Sequence, residues 1–154
     1  MKIWLDMDGT IADLYGVENW LDYLLNEDAT PYTIAEPLVA MGALARWLRQ
    51  VQRNGVEIGI ISWGSKNSTD EYLTNVYWSK RYWLKKHLPS VQFDEIKIVP
   101  YGMDKATVCN CRGGDILVDD EEKNRFAWEK AGGVAFHPVS IFTVLTTVAK
   151  KTAA

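Results

Sequence analysis

The stretch Lys2-Ile3-Trp4-Leu5-Asp6-Met7-Asp8-Gly9-Thr10 decides how this chain is read. Residues 2–5 form a short run without polar–apolar alternation, the pattern of a strand buried on both faces. The run stops on a carboxylate, and a second carboxylate, a glycine and a threonine follow at once. Similar runs, mostly rich in Ile and Val, recur at 57–61, 96–99, 116–118 and 134–136. Longer segments with helical spacing separate them. Repeated strand–helix alternation predicts an α/β fold, a parallel sheet of about five strands with helices on both faces.

Helices are expected over about 38–53, 69–88, 104–109, 121–131 and 141–150. In the first, Leu44, Trp47, Leu48 and Val51 fall on one face, and Asn54-Gly55 closes it. Pro89 stops the second, Gly132-Gly133 ends the fourth, and Ser140 is the expected N-cap of the last. No repeat or linker divides residues 1–154, so they read as one domain. Residues 12–37 break the alternation. They hold a short amphipathic piece (Leu14, Val17, Trp20, Leu21, Leu24, Leu25), then a loop with Pro31 and Pro37. A strand-to-helix connection is usually about 2–6 residues, so this is an insertion, placed where it would cover a site.

Composition narrows the function. The chain has 154 residues, 47% hydrophobic and 24% charged, which is ordinary globular composition. Seventeen Lys and Arg against twenty Asp and Glu give a net charge of −3. That disfavours binding nucleic acid mainly by counterion release, though a local basic patch stays open. No apolar run approaches the roughly 20 residues of a membrane helix, and the N-terminus meets an acid too early for a secretory signal. Cys109 and Cys111, the only cysteines, read as reduced thiols of a cytoplasmic protein.

Ligands of open α/β sheets bind beyond the carboxyl ends of the strands. There the sequence supplies Asp6, Asp8, Gly9 and Thr10, then Ser62, Trp63, Gly64, Ser65 and Lys66, then Lys105, then Asp119 and Asp120. Several carboxylates in one cleft repel one another. A divalent cation removes the conflict, and oxygen ligands without nearby His or Cys favour Mg²⁺. The lysines would balance a bound phosphate. An EF-hand is excluded, because Gly stands fourth and Val17 twelfth from Asp6.

The motif Asp6-Met7-Asp8-Gly9-Thr10 after an N-terminal strand resembles the first signature of the haloacid-dehalogenase-like (HAD) phosphatases. Ser62, Lys105 and Asp119-Asp120 match the remaining three signatures in order. The stretches 62–66, 80–88, 104–105 and 117–120 look most like the 5'(3')-deoxyribonucleotidases. In that family the cap is larger, and a basic residue stands where Met103 does. The resemblance implies a three-layer Rossmann-like sandwich of strand order 5-4-1-2-3, with residues 12–37 as a small helical cap.

It also implies a mechanism. Asp6 is the nucleophile that forms an aspartyl-phosphate. Asp8 is the general acid and then the base, and offers its backbone carbonyl to Mg²⁺. Gly9, which lets the chain turn below the site, and Thr10 are phosphate contacts. Ser62 and Lys105 hold phosphoryl oxygens, with Lys66 a further contact. Asp120 is the direct metal ligand, and Asp119 takes a metal-bound water or the Lys105 ammonium. Trp63, Tyr15 and Trp20 are candidates for touching the leaving group. The implied substrate is a small phosphorylated molecule, a nucleotide first. A polynucleotide 3'-phosphatase, a sugar-phosphate or phosphonate hydrolase and a non-catalytic binding domain are the alternatives.

Blander readings apply elsewhere. Glu121 and Glu122 suit a helix N-terminus. His87 and His137 read as structural or surface residues. Most of Trp47, Tyr72, Tyr77, Trp78, Trp83 and Trp128 read as packing residues. Lys80, Arg81, Lys85 and Lys86 read as a solvated helix face, or a track for a nucleic-acid backbone.

Overall fold

The computed structural model describes residues 1–154. In chain order the elements are β1 (Lys2–Leu5), β2 (Ala12–Asp13), α1 (Trp20–Leu25), α2 (Thr30–Ile34), β3 (Glu36–Pro37), α3 (Met41–Arg53), β4 (Glu57–Trp63), α4 (Asp70–His87), β5 (Glu95–Val99), α5 (Lys105–Val108), β6 (Ile116–Val118), α6 (Glu122–Lys130), β7 (Val134–Phe136) and α7 (Ile141–Thr152). Five strands form one parallel sheet in the order β5-β4-β1-β6-β7. With β2 and β3 set aside, these five read 5-4-1-2-3 from the β7 edge. No helix is long and apolar enough to cross a membrane.

β1 is central, and its side chains alternate between two cores because strand side chains point to opposite faces. Ile3 and Leu5 enter the larger core with Leu44, Leu48 and Val51 of α3, Trp83 of α4, and Leu145 and Val148 of α7. Trp4 enters the smaller core with Ala106 of α5 and Trp128 of α6. Helices therefore cover both faces. The Trp4 indole lies across Gly59 on neighbouring β4, its register partner. A Cβ at Gly59 would stand 2.5 Å from the indole ring.

Residues 12–37 differ from the expectation. Their two ends pair as an antiparallel ribbon, β2 with β3, which no pattern announced. The stretch expected as a loop around Pro31 is helix α2. Its Pro occupies the first turn, where a missing N–H costs nothing, and the Asp28 carboxylate accepts from Thr30 N at 2.9 Å. Ser140 occupies the N-cap position of α7, as expected, but its side chain makes no capping hydrogen bond. It closes a 3₁₀ turn, Pro138–Ser140, whose capping acceptor is His137 Nδ1 to Val139 N at 3.1 Å. Trp78 is also not a packing residue, being 62% exposed.

Gly59→Ala is expected to destabilise the protein by about 1–3 kcal/mol, because the indole has no room to yield. Thermal melting should show a fall of several degrees; an unchanged Tm would mean the two strands separate easily.

Candidate functional site

The carboxyl ends of β1, β4 and β6 meet at one rim of the sheet. Asp6 N continues the ladder by donating to Val118 O at 3.0 Å, so the nucleophile candidate is anchored beside the Asp119-Asp120 pair. The chain then turns sharply. Met7 O accepts from the N–H groups of Thr10, Ile11 and Ala12 at 2.9–3.0 Å. Gly9 is required twice. Its φ is +79°, and a Cβ there would lie 2.3 Å from Asp120 Oδ2.

Asp6, Asp119 and Asp120 each bring a carboxylate oxygen within 4.8 Å of the others. Asp6 and Asp119 are buried, and Asp120 is half-buried. One cation already sits between two of them. Lys105 Nζ donates to Asp6 Oδ1 at 2.9 Å and to Asp119 Oδ2 at 2.7 Å. Burial alone would push this ammonium's pKa down, but the charges of Asp6 and Asp119 override it and raise it. Asp119 also accepts from Glu121 N at 2.8 Å and Asn124 Nδ2 at 3.2 Å. Arg125 ties down the loop through the carbonyls of Asp119 and Asp120, at 2.9 and 2.8 Å. Asp120 has the weakest protein contact of the three, Thr10 Oγ1 at 3.5 Å.

Burial, then the charge of Asp6, raises the pKa of Asp119 to about 6 and that of Asp120 to about 7. The all-oxygen donor set fits a hard divalent cation. Asp120, the least engaged carboxylate, and Asp6 beside it are the side chains best placed to hold one.

Asp8 stands outside this cluster. Its Oδ2 accepts from Lys80 Nζ at 2.7 Å, and the same ammonium reaches Ser62 Oγ and Trp63 O, each at 2.7 Å. Asp8 is therefore not a carboxylate ligand alongside the other three. Its pKa is raised chiefly by burial, with Lys80 opposing. Lys80 is 1% exposed, which removes it from the solvated face expected for it and from the basic track. Thr10 Oγ1 donates to Asp6 Oδ2 at 3.0 Å and accepts from Asp120 N at 3.3 Å. This hydroxyl holds the carboxylates and is not free for a ligand.

A cleft of about 300 Å³ opens over these groups. Asp6, Asp8, Lys105, Asp119, Asp120, Lys66, Trp63, Tyr15 and Trp20 line it, whereas Ser62, Gly9 and Thr10 do not. Ser62 is fully buried. Two aromatic pairs flank the opening. Tyr15 and Trp20 meet edge-on with centroids 5.0 Å apart, and Trp63 leans on Tyr101 at 4.9 Å. Lys105 Nζ lies 5.2 Å and Lys123 Nζ 5.3 Å from the Trp63 ring centroid, and Trp63 Nε1 donates to Met103 O at 2.9 Å. Leu14, Leu21, Leu24 and Tyr32 complete the wall contributed by the insertion.

Lys80, Tyr32, Tyr101 and Asn124 were not found from the sequence as site residues. Lys80 did leave a signal: it falls four after Val76 and three and four before Trp83 and Leu84, on the buried stripe of α4. No protein-family model and no curated protein matches the chain.

Asp120→Asn is expected to stabilise the metal-free protein. A folded-state carboxyl raised towards 7 makes the charged form costly; that cost is absent below the ordinary carboxylate range near pH 4 and complete above about 7. Discounted for partial exposure, the gain at pH 8 is about 1–2 kcal/mol, and it vanishes by pH 4. Urea melts in EDTA at both pH values measure it, and an equal effect at both would remove carboxylate repulsion as the cause.

Proposed function

We propose that the chain is a Mg²⁺-dependent phosphomonoesterase of the HAD type, acting on a small phosphate ester and on a nucleotide in the first instance. One observation carries the reading. Distant segments deliver three carboxylates to within 4.8 Å of one another, with a buried lysine bonded to two of them and a further carboxylate, Asp8, held apart by a second lysine. An ordinary structural ion pair needs no such surplus of negative charge, and a phosphate-handling site with a divalent cation does. The two aromatic pairs beside it suit a planar leaving group such as a base.

Asp6 and Asp120, with the Asp8 backbone carbonyl, would hold the magnesium, whose charge offsets that of the transferring phosphoryl group. Asp6 attacks phosphorus as the ester P–O bond breaks, giving an aspartyl-phosphate. Asp8 gives its proton to the departing oxygen, then takes one from the water that cleaves the acyl phosphate. Lys105 fixes the Asp6 carboxylate for in-line attack, and Asp119 fixes Lys105. Lys66 is the exposed cation at the cleft and suits a peripheral phosphate oxygen.

Phosphate release in Mg²⁺ is the test, over nucleoside monophosphates, sugar phosphates, a phosphonate and 3'-phosphorylated oligonucleotides. Nucleoside monophosphates are expected to turn over best; preference for the oligonucleotides, weakening steeply with salt, would move the reading to a polynucleotide phosphatase. EDTA should abolish turnover and Mg²⁺ restore it. Asp6→Asn should lose at least about 10³-fold in kcat, and retention of most activity would remove Asp6 as nucleophile.

A further inference from the structure

We infer that Lys80 is a positioning residue for this reaction: its ammonium, pinned by Ser62 Oγ and the Trp63 carbonyl, holds the Asp8 carboxyl apart from the Asp6–Asp119–Asp120 cluster and on the side of the cleft walled by the insertion. The inference rests on the phosphatase reading above.

The geometry is that of a tripod. An ammonium has three N–H donors, and all three are committed at 2.7 Å, to Asp8 Oδ2, Ser62 Oγ and Trp63 O. None remains for a substrate, so Lys80 is not a phosphate-binding cation. Two legs of the tripod stand on adjacent residues at the end of β4, a strand hydrogen-bonded on both sides. The stem is locked in α4, where Val76 and Trp83 are fully buried. The Tyr32 ring closes a further side, its centroid 4.9 Å from Nζ. The one partner not already held by a sheet or a helix is the Asp8 side chain, and that is the group the tripod orients.

The orientation has a consequence. Asp8 follows Asp6 by two residues, and without Lys80 its carboxylate would be free to swing towards the same cation site. Held as it is, Asp8 meets the same ammonium that lies 4.9 Å from the Tyr32 ring centroid, and it lines one cleft with Tyr15 and Tyr32. Those residues belong to the wall where a leaving group would sit. Lys105 does the complementary task on the other side, at Asp6 and Asp119.

A purely structural ion pair would also make Lys80→Met less stable. Leaving-group dependence and coupling to Asp8 separate the two roles. Steady-state kinetics in Mg²⁺ would compare the unaltered chain with Lys80→Met, Lys80→Gln, Asp8→Asn and the double variant Lys80→Met/Asp8→Asn. The substrates are p-nitrophenyl phosphate, which needs little proton donation, and the best alkyl ester of the panel. Melting curves in the same buffer confirm folding. Lys80→Met should lower kcat by about 10²-fold on the alkyl ester and less than about 10-fold on p-nitrophenyl phosphate, with KM changed less than about threefold. Added to Asp8→Asn, it should cost less than about threefold more. Lys80→Gln, which still donates hydrogen bonds, should fall between, and carries the comparison if Lys80→Met does not fold. Equal losses on both esters, or losses that multiply in the double variant, overturn the positioning role while the phosphatase reading stands. If the unaltered chain turns over no ester, the reading fails and this inference falls with it.

Discussion

Mutual repulsion of the carboxylates at the ends of β1 and β6 is the constraint around which this molecule is arranged. Asp6, Asp119 and Asp120 crowd into a volume in which three ionised acids are unfavourable. The chain answers with a buried lysine from a third segment, and the Lys105 ammonium bonds two of the three and offsets one of their charges. Arg125, Asn124 and the backbone N–H of Glu121 then fix the loop that carries them. Asp120 is left the least engaged carboxylate of the three. An ionisable carboxyl left with so weak a protein partner costs stability at neutral pH, which on the proposed reading is the cost of a metal site, offset elsewhere.

The offset is visible in the sheet. β1 is buried on both faces and paired on both edges, so the loop that follows it starts from the most rigid place in the fold. Trp4 fills the space that Gly59 leaves empty, with the ammonium groups of Lys2 and Lys97 4.4 and 5.8 Å from its ring centroid. This packing fixes the position of β1 against β4, and therefore of Asp6 against Ser62. Charge geometry at the rim is inherited from apolar geometry one turn below it.

The sheet was readable because its signals are local. Short apolar runs followed by Asp6, Ser62, Pro100, Asp119 and His137 need only period and punctuation to be recognised, and the five runs became β1, β4, β5, β6 and β7 with bounds shifted by at most two residues. The rim residues were readable for a related reason: strand ends in a parallel sheet converge. What escaped depended on long-range partners. Lys80 was grouped with Arg81, Lys85 and Lys86 by adjacency, although helical spacing puts it on the opposite, buried stripe with Val76 and Trp83. Thr10 was read as a ligand contact, but its hydroxyl is engaged by Asp6 and by an amide 110 residues away. The β2–β3 ribbon is two residues on each side, too short to leave any periodicity. Ser140 stands at the N-cap of α7 as its residue type suggests, yet its hydroxyl makes no capping bond, because Pro138 starts a tighter turn before the helix and His137 Nδ1 caps that turn instead.

The insertion is where these long-range contacts have the largest effect. A lid must exchange its closed contacts for others of similar strength when it opens. This insertion is fastened at its base by the β2–β3 ribbon and by Leu38 N to Ile11 O at 2.9 Å. Near its middle, Glu27 accepts from Thr69 N and Thr69 Oγ1 at 3.2 and 3.1 Å, at the start of α4. The Tyr32, Ser65 and Tyr72 hydroxyls bond in a row, Tyr72 reaches Asp28 O at 3.2 Å, and Trp83 Nε1 reaches Ala35 O at 2.7 Å. Swinging α2 away would leave several of these buried groups without partners, each at a cost of about 1–3 kcal/mol. The part of the insertion that carries Tyr32 is thus a fixed wall. The cleft's shape is therefore set between Tyr15–Trp20 and Trp63–Tyr101, with its inner side backed by the same α4 that carries Lys80 to Asp8.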